Sequence, residues 1–360
     1  MIHIIHSSAR EGGIKTVSES LSKSFQNKGY ETGLFNMNDY GSSLFGAIKN
    51  SARQFDKKNK DDIFILQNFG PLLLGLGLDF KKYKKTINVV HTDLLTYYRS
   101  SKLLKKLFLK FVFLGLKNKP IIFVSREAEI RAKEYFKLNR TKAVYNIFGF
   151  EQNMALQILK SIFTFGSVSR LHSFKNIDLA IRVVKELNKQ NIPVKLLIYG
   201  SGTEEKKLQE YVISQNCKNC IEFMGESNNL DQIYTSFDAL LSFASIEGLP
   251  TVILEAINYG KPVFYTDCTS GPRELMAPKS NPLLKTRYYE KTDIGYLVKP
   301  VLASSTYSSV LTEYEKDYVD ILKVFIEDVK SKAFSMKFDT KPFSEEVVIE
   351  QWLELIKGLQ

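Results

Sequence analysis

Short apolar segments alternate with amphipathic segments through most of the chain, and this alternation is what most constrains its fold. In the second half of the chain, helix-like segments separate four strand-like runs, which are residues 163–168, 195–199, 221–224 and 238–243. The helix-like segment 177–188 has its apolar residues on one face, namely Ile177, Ala180, Ile181, Val184 and Leu187. Strands that alternate with helices pair in parallel, so this order predicts a doubly wound α/β sheet.

The first half of the chain repeats this order. Its strand-like runs are residues 2–5, 32–36, 62–66, 86–90 and 121–124. At 360 residues the chain is too long for a single ordinary core, so two domains are expected. We predict a first α/β domain in residues 1–155, a second in residues 156–340, and a final helix in residues 341–360.

The strongest functional signal lies in a strand, a loop and a helix within the second half. The buried strand precedes a loop that contains Glu247, and the helix that follows carries Glu255. Pro250 suits the start of this helix, and Gly260 suits its end. Open α/β sheets bind ligands at the carboxyl ends of their strands, where two carboxylates and free helix N–H groups can hold sugar hydroxyls and a phosphate. Two glutamates eight positions apart are, by themselves, more typical of solvated charges.

In its context, the pair resembles the signature of the retaining glycosyltransferases of family 4, which have the GT-B fold. Residues 247–263 read E-G-L-P-T-V-I-L-E-A-I-N-Y-G-K-P-V, which matches the family's two glutamates separated by seven residues. The resemblance implies that Glu247 holds the hydroxyl groups of the donor sugar and that Glu255 holds those of the ribose. It also implies two Rossmann-like domains facing a cleft, with the C-terminal helix crossing back to the first domain.

Two cations and a set of glycines extend the resemblance. Residues 168–176 match the family's G-R-L-x3-K-G element at Arg170 and Lys175, whereas serine and asparagine replace its two glycines. A leaving nucleoside diphosphate develops negative charge, and the resemblance implies that both cations neutralise it. The implied donor-binding residues are Gly13, Gly200, Gly202, Phe223, Met224, Gly225, Gly248, Leu249, Pro250, Thr251 and Glu255.

Other motifs narrow the chemistry. His91 follows the strand 86–90, where family members often keep a histidine that faces the cleft, although a single histidine is as often structural. The chain contains no Asp-x-Asp motif, so we expect no metal site and no cofactor beside the nucleotide-sugar substrate. Cys217 and Cys220 have zinc-like spacing but no second ligand pair, which favours structural thiols. The absence of a G-x-G-x-x-G fingerprint after the first strand disfavours a dehydrogenase.

The net charge of +11 is concentrated in the first half of the chain. Residues 81–120 contain eleven basic residues and one acidic residue. Within residues 99–119, lysines interleave with leucines and phenylalanines, as in a basic amphipathic helix on an anionic membrane. The alternative is an ordinary domain helix with a lysine-rich solvent face. A nucleic-acid partner is disfavoured, because no recognised binding module accompanies the charge.

The resemblance implies a retaining glycosyltransferase of the hexosyltransferase type, and the missing Asp-x-Asp motif predicts that it needs no metal ion. Its donor would be a nucleotide sugar, most often a UDP-sugar in this family. Its acceptor would be a lipid-linked glycan, such as a polyprenyl-diphosphate-linked one, in bacterial surface polysaccharide synthesis (capsule or lipopolysaccharide). Two alternatives stay open: a nucleotide-sugar epimerase of the same fold and a non-catalytic glycosyltransferase-like partner subunit. No signal peptide or membrane span is visible, so we expect a cytoplasmic protein, peripheral on the inner face of the plasma membrane.

Overall fold

The computed structural model describes residues 1–7, 13–40, 50–51, 61–68, 85–150, 162–302 and 307–359. The chain forms two compact units. The first domain comprises Met1–Gly149 and Thr340–Gln360, and the second domain comprises Phe150–Asp339. Each has its own largely parallel sheet with helices between the strands, which confirms the predicted pair of doubly wound α/β domains. The division falls between Gly149 and Phe150, whereas the sequence analysis placed it between residues 155 and 156.

The described part of the first domain contains six parallel strands in the order β2-β1-β3-β4-β5-β6. They are β1 (Ile2–His6), β2 (Thr32–Asn36), β3 (Ile63–Gln67), β4 (Thr86–Val90), β5 (Ile121–Phe123) and β6 (Thr141–Ala143). The helices between them are α1 (Gly13–Asn27), α2 (Leu94–Ser100), α3 (Leu103–Leu116) and α4 (Arg126–Phe136). Strands β1, β3 and β4 are buried at every position, as expected for the centre of a sheet covered on both faces.

The described part of the second domain contains seven strands in the order β12-β13-β11-β10-β7-β8-β9, with only β12 antiparallel. They are β7 (Phe163–Val168), β8 (Val194–Tyr199), β9 (Ile221–Gly225), β10 (Ala239–Ser242), β11 (Val263–Thr266), β12 (Tyr289–Thr292) and β13 (Gly295–Val298). The helices are α5 (Ile177–Lys189), α6 (Glu205–Ser214), α7 (Leu230–Thr235), α8 (Thr251–Asn258), α9 (Pro272–Met276) and α10 (Glu313–Lys330). The strand order reverses between β7 and β10, so the carboxyl ends of these two strands flank the switch point.

Helix α10 was not among the predicted elements, although its start carries a recognisable signal. Thr312 and Glu315 form a capping box, in which the Thr312 side chain accepts from the Glu315 N–H at 3.2 Å and Glu315 accepts from the Thr312 N–H at 2.8 Å. Glu315 also accepts from Arg182 of α5 at 2.8 Å, and both side chains are buried. This ion pair links α10 to α5 across the core of the second domain.

The last helix, α11 (Glu345–Lys357), packs within the first domain. Its apolar face is buried and includes Trp352, whose ring meets that of Phe25 in α1 edge to face at a centroid distance of 6.3 Å. Asn27 at the end of α1 donates to Glu345 at 3.0 Å. The first domain is therefore built from two separate parts of the sequence.

The basic segment 99–119, predicted as one helix, is broken near its start. Helix α2 ends at Ser100, Ser101 and Lys102 have extended backbone, and α3 begins at Leu103. Across the described residues, no helix is both long enough and apolar enough to traverse a bilayer.

Replacing Trp352 tests the packing of α11. Since its side chain is buried against α1, Trp352→Ala should lower the free energy of unfolding of the first domain by about 3–5 kcal/mol, the usual cost of a large buried truncation. Chemical denaturation followed by circular dichroism measures this. Trp352→Phe, which keeps an aromatic ring, is the matched control and should lose clearly less. Equal losses in both variants would contradict the packing described here.

Candidate functional site

Three loops meet at the carboxyl edge of the second-domain sheet. They follow β7, β10 and β11, which are neighbours in the sheet. The Ser245 N–H donates to Phe174 O at 2.9 Å, which joins the first two loops, and the Glu247 N–H donates to Thr269 O at 3.1 Å, which joins the last two. Asn176, at the start of α5, also donates its side-chain amide to Phe243 O at 2.7 Å. The backbone around Glu247 is therefore fixed from both sides.

Glu247 lies at the centre of this edge and is held by two side-chain donors. Lys175 Nζ approaches Glu247 Oε1 at 2.6 Å, and the two side chains are only 16% and 10% exposed. Tyr265 Oη of β11 donates to the same oxygen at 2.5 Å. Burial raises the pKa of the Tyr265 hydroxyl well above its usual value, so this group stays a donor. In the part of the chain that the structure describes, no hydrogen bond reaches Glu247 Oε2, which can accept from a ligand.

Lys175 and Glu247 were predicted to contact different parts of a donor, the diphosphate and the sugar. The structure brings them into direct contact, because the short 3-10 turn Ser173–Lys175 lies beside the loop after β10. Arg170, predicted as the second cation, is exposed on the same loop as Lys175. No ion pair involves Arg170 in the described ranges.

Glu255 lies on α8, and a tyrosine also holds one of its oxygens. Tyr234 Oη of α7 donates to Glu255 Oε2 at 2.6 Å, and the Tyr234 ring stacks on Tyr259 at a centroid distance of 5.3 Å. Burial raises the pKa of the Glu255 carboxyl. A carboxylate in these surroundings favours a ligand that brings hydroxyl donors to it.

Gly200 and Gly202 allow the loop after β8 to lie directly on the loop after β7. The two loops are joined by hydrogen bonds from the Ser169 N–H to Tyr199 O at 3.1 Å and from the Leu171 N–H to Ser201 O at 2.7 Å. Gly200 has a φ of +122°, and a Cβ there would lie 2.0 Å from Ser169 O. A Cβ at Gly202 would lie 2.3 Å from Leu171 O. The close contact between the two loops thus explains why both positions are glycine. The same contact brings the backbone of the loop after β8 close to Arg170.

The remaining donor-binding candidates of the second domain lie in two places. Phe223, Met224 and Gly225 form the end of β9, where Phe223 packs partly against the domain core and Met224 is exposed. Gly248, Leu249 and Pro250 form the turn between Glu247 and α8, with Leu249 buried and Pro250 as the N-cap residue. The expected helix start near Pro250 is therefore confirmed, and Thr251 is the first helical residue.

A buried ion pair anchors the loop after β11, on which Glu247 depends. Arg273 of α9 donates to Asp267 through Nη2 at 2.6 Å and through Nε at 3.0 Å. It also donates to Glu290 of β12 at 3.0 Å. The sequence analysis assigned no role to Arg273, Tyr265 or Tyr234. The two tyrosines lie in an apolar strand and a short helix, where the pattern alone suggests only core packing.

In the first domain, His91 lies just after β4 and contacts Gln67, the last residue of β3. His91 Nε2 pairs with Gln67 Oε1, and because an amide oxygen only accepts, Nε2 carries the proton. Burial lowers the pKa of His91 to about 4, so the imidazole is neutral near pH 7 and Nδ1 is left as an acceptor. Gln67 is buried, and its amide nitrogen has no partner among the described residues. Gln67 is a further polar candidate that sequence reasoning missed.

Gly13 is the first residue of α1 and is exposed. A Cβ there would meet no atom within 4 Å, so the described residues do not explain the glycine. Gly12 and the loop before it lie outside the described residues. Lys81, Lys82 and Lys84, which are among the eleven basic residues of 81–120, lie outside them as well.

The cysteines are buried and reduced. The Cys217 thiol donates to Val212 O at 3.6 Å and the Cys220 thiol to Cys217 O at 3.4 Å. Throughout the described ranges, no group of three or more His, Cys, Asp or Glu side chains is arranged to hold a metal ion.

Fold and site together define a doubly wound α/β protein whose second domain has a polar candidate site at the switch point of its sheet. Residues 152–318, somewhat under half of the chain, match the protein family described as glycosyl transferases group 1. This match covers the Glu247–Glu255 segment, both cations and the glycine loops of the second domain.

Sequence relatives are glycosyltransferases too. The chain is 29% identical to an uncharacterized glycosyltransferase of Methanocaldococcus jannaschii over 256 residues, which are 66% of this chain and 63% of that protein. It therefore spans less than two thirds of that relative. It is 25% identical to an amylovoran biosynthesis glycosyltransferase of Erwinia amylovora over 297 residues, which are 77% of this chain and 83% of that protein. These findings support a group 1 glycosyltransferase.

A solved structure confirms the fold. Anabaena HepE, crystallised in complex with UDP and glucose, matches with a TM-score of 0.70 at 17% identity and covers 99% of both chains. At this level of identity the likeness concerns the fold. The prediction of a GT-B architecture, made from the glutamate signature, is thereby confirmed.

The low pKa of His91 predicts a pH-dependent stability. The unfolded chain takes up a proton near the ordinary pKa of 6.5, whereas the folded chain does so only near 4, so stability falls as the pH drops through this window. Between about pH 7 and about pH 5, this should cost on the order of 1–2 kcal/mol of unfolding free energy.

Chemical denaturation at the two pH values measures the loss. His91→Gln should make this pH-dependent loss of unfolding free energy smaller by about 1–2 kcal/mol. His172→Gln, at an exposed position of the second domain, should leave the loss unchanged. If His91→Gln loses as much stability on acidification as the parent does, the assignment of a neutral imidazole at His91 is wrong.

Proposed function

We propose that the protein is a retaining, metal-independent glycosyltransferase of the hexosyltransferase type, with a UDP-sugar as its donor. The observation that carries this proposal is the contact between Lys175 and Glu247 at the sheet edge, with Glu255 on the helix that follows, all within the segment that matches the group 1 glycosyltransferases. The cation and the carboxylates supply what a nucleotide sugar needs: a counter-charge for its diphosphate and acceptors for its hydroxyls.

Each side chain has a distinct proposed role. Glu255 accepts from the ribose hydroxyls, and Glu247 accepts from the donor sugar through Oε2, since Lys175 and Tyr265 occupy Oε1. Lys175 and Arg170 neutralise the diphosphate as the bond to the sugar breaks, and the N–H groups at the start of α8 assist. His91 contributes a neutral hydrogen-bond acceptor for a substrate hydroxyl. With fixed cations in this role, the reaction does not require a metal ion or another cofactor.

The proposed reaction needs no nucleophile from the protein. The leaving phosphate takes the proton of the acceptor hydroxyl, and the new bond forms on the face from which the diphosphate departs, so the anomeric configuration is retained. In this proposal Glu247 does not attack the sugar carbon: two donors hold its Oε1, and its Oε2 accepts from a hydroxyl of the sugar. Its role is to orient the sugar.

The proposed acceptor is a lipid-linked or membrane-held glycan in surface polysaccharide synthesis. Two observations support this choice: a relative acts in amylovoran biosynthesis, and the first domain carries a strongly basic segment. The proposed location is the cytoplasm, at the inner face of the plasma membrane, where a polyprenyl-diphosphate-linked glycan would be accessible.

A thermal-shift screen of nucleotide sugars, followed by turnover with a polyprenyl-diphosphate-linked acceptor, tests the proposal. We expect one UDP-sugar to stabilise the protein and its sugar to appear on the acceptor. Interconversion of the sugar without acceptor would instead identify an epimerase. Absence of donor turnover, together with capture of a second chain, would identify a non-catalytic partner subunit.

Removing either cation should lower turnover strongly. Lys175→Ala or Arg170→Ala removes positive charge at the departing diphosphate and should cost about 2–4 kcal/mol of transition-state stabilisation. The measurement is kcat/KM with the UDP-sugar found in the screen. Lys195→Ala, at an exposed lysine of β8, is the control and should leave turnover unchanged. Near-normal turnover in both cation variants would contradict the assignment of Lys175 and Arg170 to the diphosphate.

Removing the Tyr265 hydroxyl tests the binding of the sugar separately from the binding of the nucleotide. Tyr265→Phe frees Glu247 Oε1 from one donor and should weaken binding of the UDP-sugar roughly tenfold, since a hydrogen bond to a charged group contributes about 1.5–3 kcal/mol. Binding of UDP alone, which lacks the sugar, should change little. Isothermal titration calorimetry with both ligands measures the difference.

Tyr296→Phe is the matched control, because it removes a similar hydrogen bond from a buried tyrosine to Asp328, at 2.6 Å. Its stability cost should resemble that of Tyr265→Phe, without an effect on either ligand. Equal weakening of UDP and UDP-sugar by Tyr265→Phe would exclude the sugar-orienting role of Glu247.

A further inference from the structure

Helix α3 (Leu103–Leu116) has two apolar faces, and only one of them is covered. The covered face packs into the first-domain core through Leu109, Val112, Phe113 and Leu116. The other face is between 49% and 82% exposed at each of its large side chains, which are Leu103, Leu104, Leu107, Phe108, Phe111 and Leu114. A contiguous exposed apolar patch of this kind marks a surface that interacts with a partner protein, a membrane or a ligand.

The exposed residues form one continuous stripe. Leu103, Leu107, Phe111 and Leu114 recur at intervals of three or four, so they lie along one line of the helix, and Leu104 and Phe108 lie directly beside it. A helix of this length extends for about 20 Å. The stripe therefore extends along the whole helix as one elongated apolar face.

Lysines border the stripe on one side. Lys106, Lys110 and Lys117 each follow a stripe leucine by three residues, which places them along its edge. Lys105 is directed elsewhere, because its Nζ lies over the Tyr97 ring of α2 at 4.4 Å. Residues 99–119 contain seven basic residues and no acidic one. The segment that carries the stripe is thus strongly basic.

We propose that the exposed face of α3 inserts into the interface of an anionic membrane. Its leucines and phenylalanines would lie at the level of the upper acyl chains, while the lysines along the edge reach the phosphate groups of anionic lipids. The membrane is the occupant that satisfies both features, since it offers apolar area and negative charge side by side.

A second copy of this chain fits the same face poorly. In a two-fold symmetric contact the stripes would meet, and the lysine rows would come together with no acidic side chain in residues 99–119 to pair with them. Like charges brought together at an interface oppose association.

This inference goes beyond the proposed transfer reaction, because insertion depends on α3 alone and not on the second-domain site. It refines the sequence-based expectation as well. The lysines alone would hold the protein by charge, whereas the exposed stripe predicts a contact that remains partly resistant to salt.

Flotation of the full chain with phosphatidylcholine vesicles, with and without phosphatidylglycerol, tests the proposal. The apolar variant replaces Leu104, Leu107, Phe111 and Leu114 with Gln, and the charge variant replaces Lys106, Lys110 and Lys117 with Gln. The matched control replaces three exposed apolar residues of the second domain, Ile213, Val310 and Val324, with Gln. Circular dichroism and donor binding verify that each variant is folded.

We expect the parent and the control to float with anionic vesicles and not with neutral ones. The apolar variant should lose binding by about 100-fold or more even at low salt, because four inserted side chains are removed. The charge variant should float no better with anionic vesicles than with neutral ones.

Three outcomes would overturn the proposal. They are no flotation of the parent, undiminished flotation of the apolar variant, and a parent dimer that the apolar substitutions convert to a monomer. Donor binding and turnover on a water-soluble acceptor should stay at the parent level in the apolar variant. A failure of membrane binding is thereby distinguished from a failure of the proposed transferase function.

Discussion

The ion pair between Lys175 and Glu247 fixes the loop after β7 against the loop after β10, and the arrangement of the candidate site depends on it. Both side chains are largely shielded from water, so either charge alone would be costly and each requires the other. Tyr265 adds a third contact from the neighbouring strand. In the proposed reaction, an incoming diphosphate must share the ammonium with Glu247, which couples recognition of the sugar to recognition of the phosphates.

The sheet topology explains why these groups can meet although the sequence separates them widely. Strands β7, β10 and β11 are adjacent and parallel, so the residues that follow them emerge at one edge. Backbone hydrogen bonds between the loops, and the buried Arg273–Asp267 pair behind them, then limit the freedom of that edge. The scaffold thus preorganises the site together with the Lys175–Glu247 ion pair.

The two glutamates, Lys175 and the α/β alternation were predictable because each belongs to a pattern with fixed spacing. Tyr265 and Tyr234 were not, since a tyrosine in a buried segment reads as core and its hydroxyl partner is far away in sequence. Helix α10 could have been found from its capping box. The exposed stripe of α3 could not, because ten of the fourteen residues of that helix are apolar and they lie on more than one face, so periodicity does not say which face is covered.

The discontinuous first domain has a consequence for how the chain folds during synthesis. Helix α11 supplies Trp352 to the packing around α1, yet it is made only after the whole second domain. The second domain is one continuous segment, Phe150–Asp339, and can fold as soon as it leaves the ribosome. The first domain must wait with the apolar face of α1 incompletely covered, so a stalled or truncated chain would expose that face to chaperones and proteases.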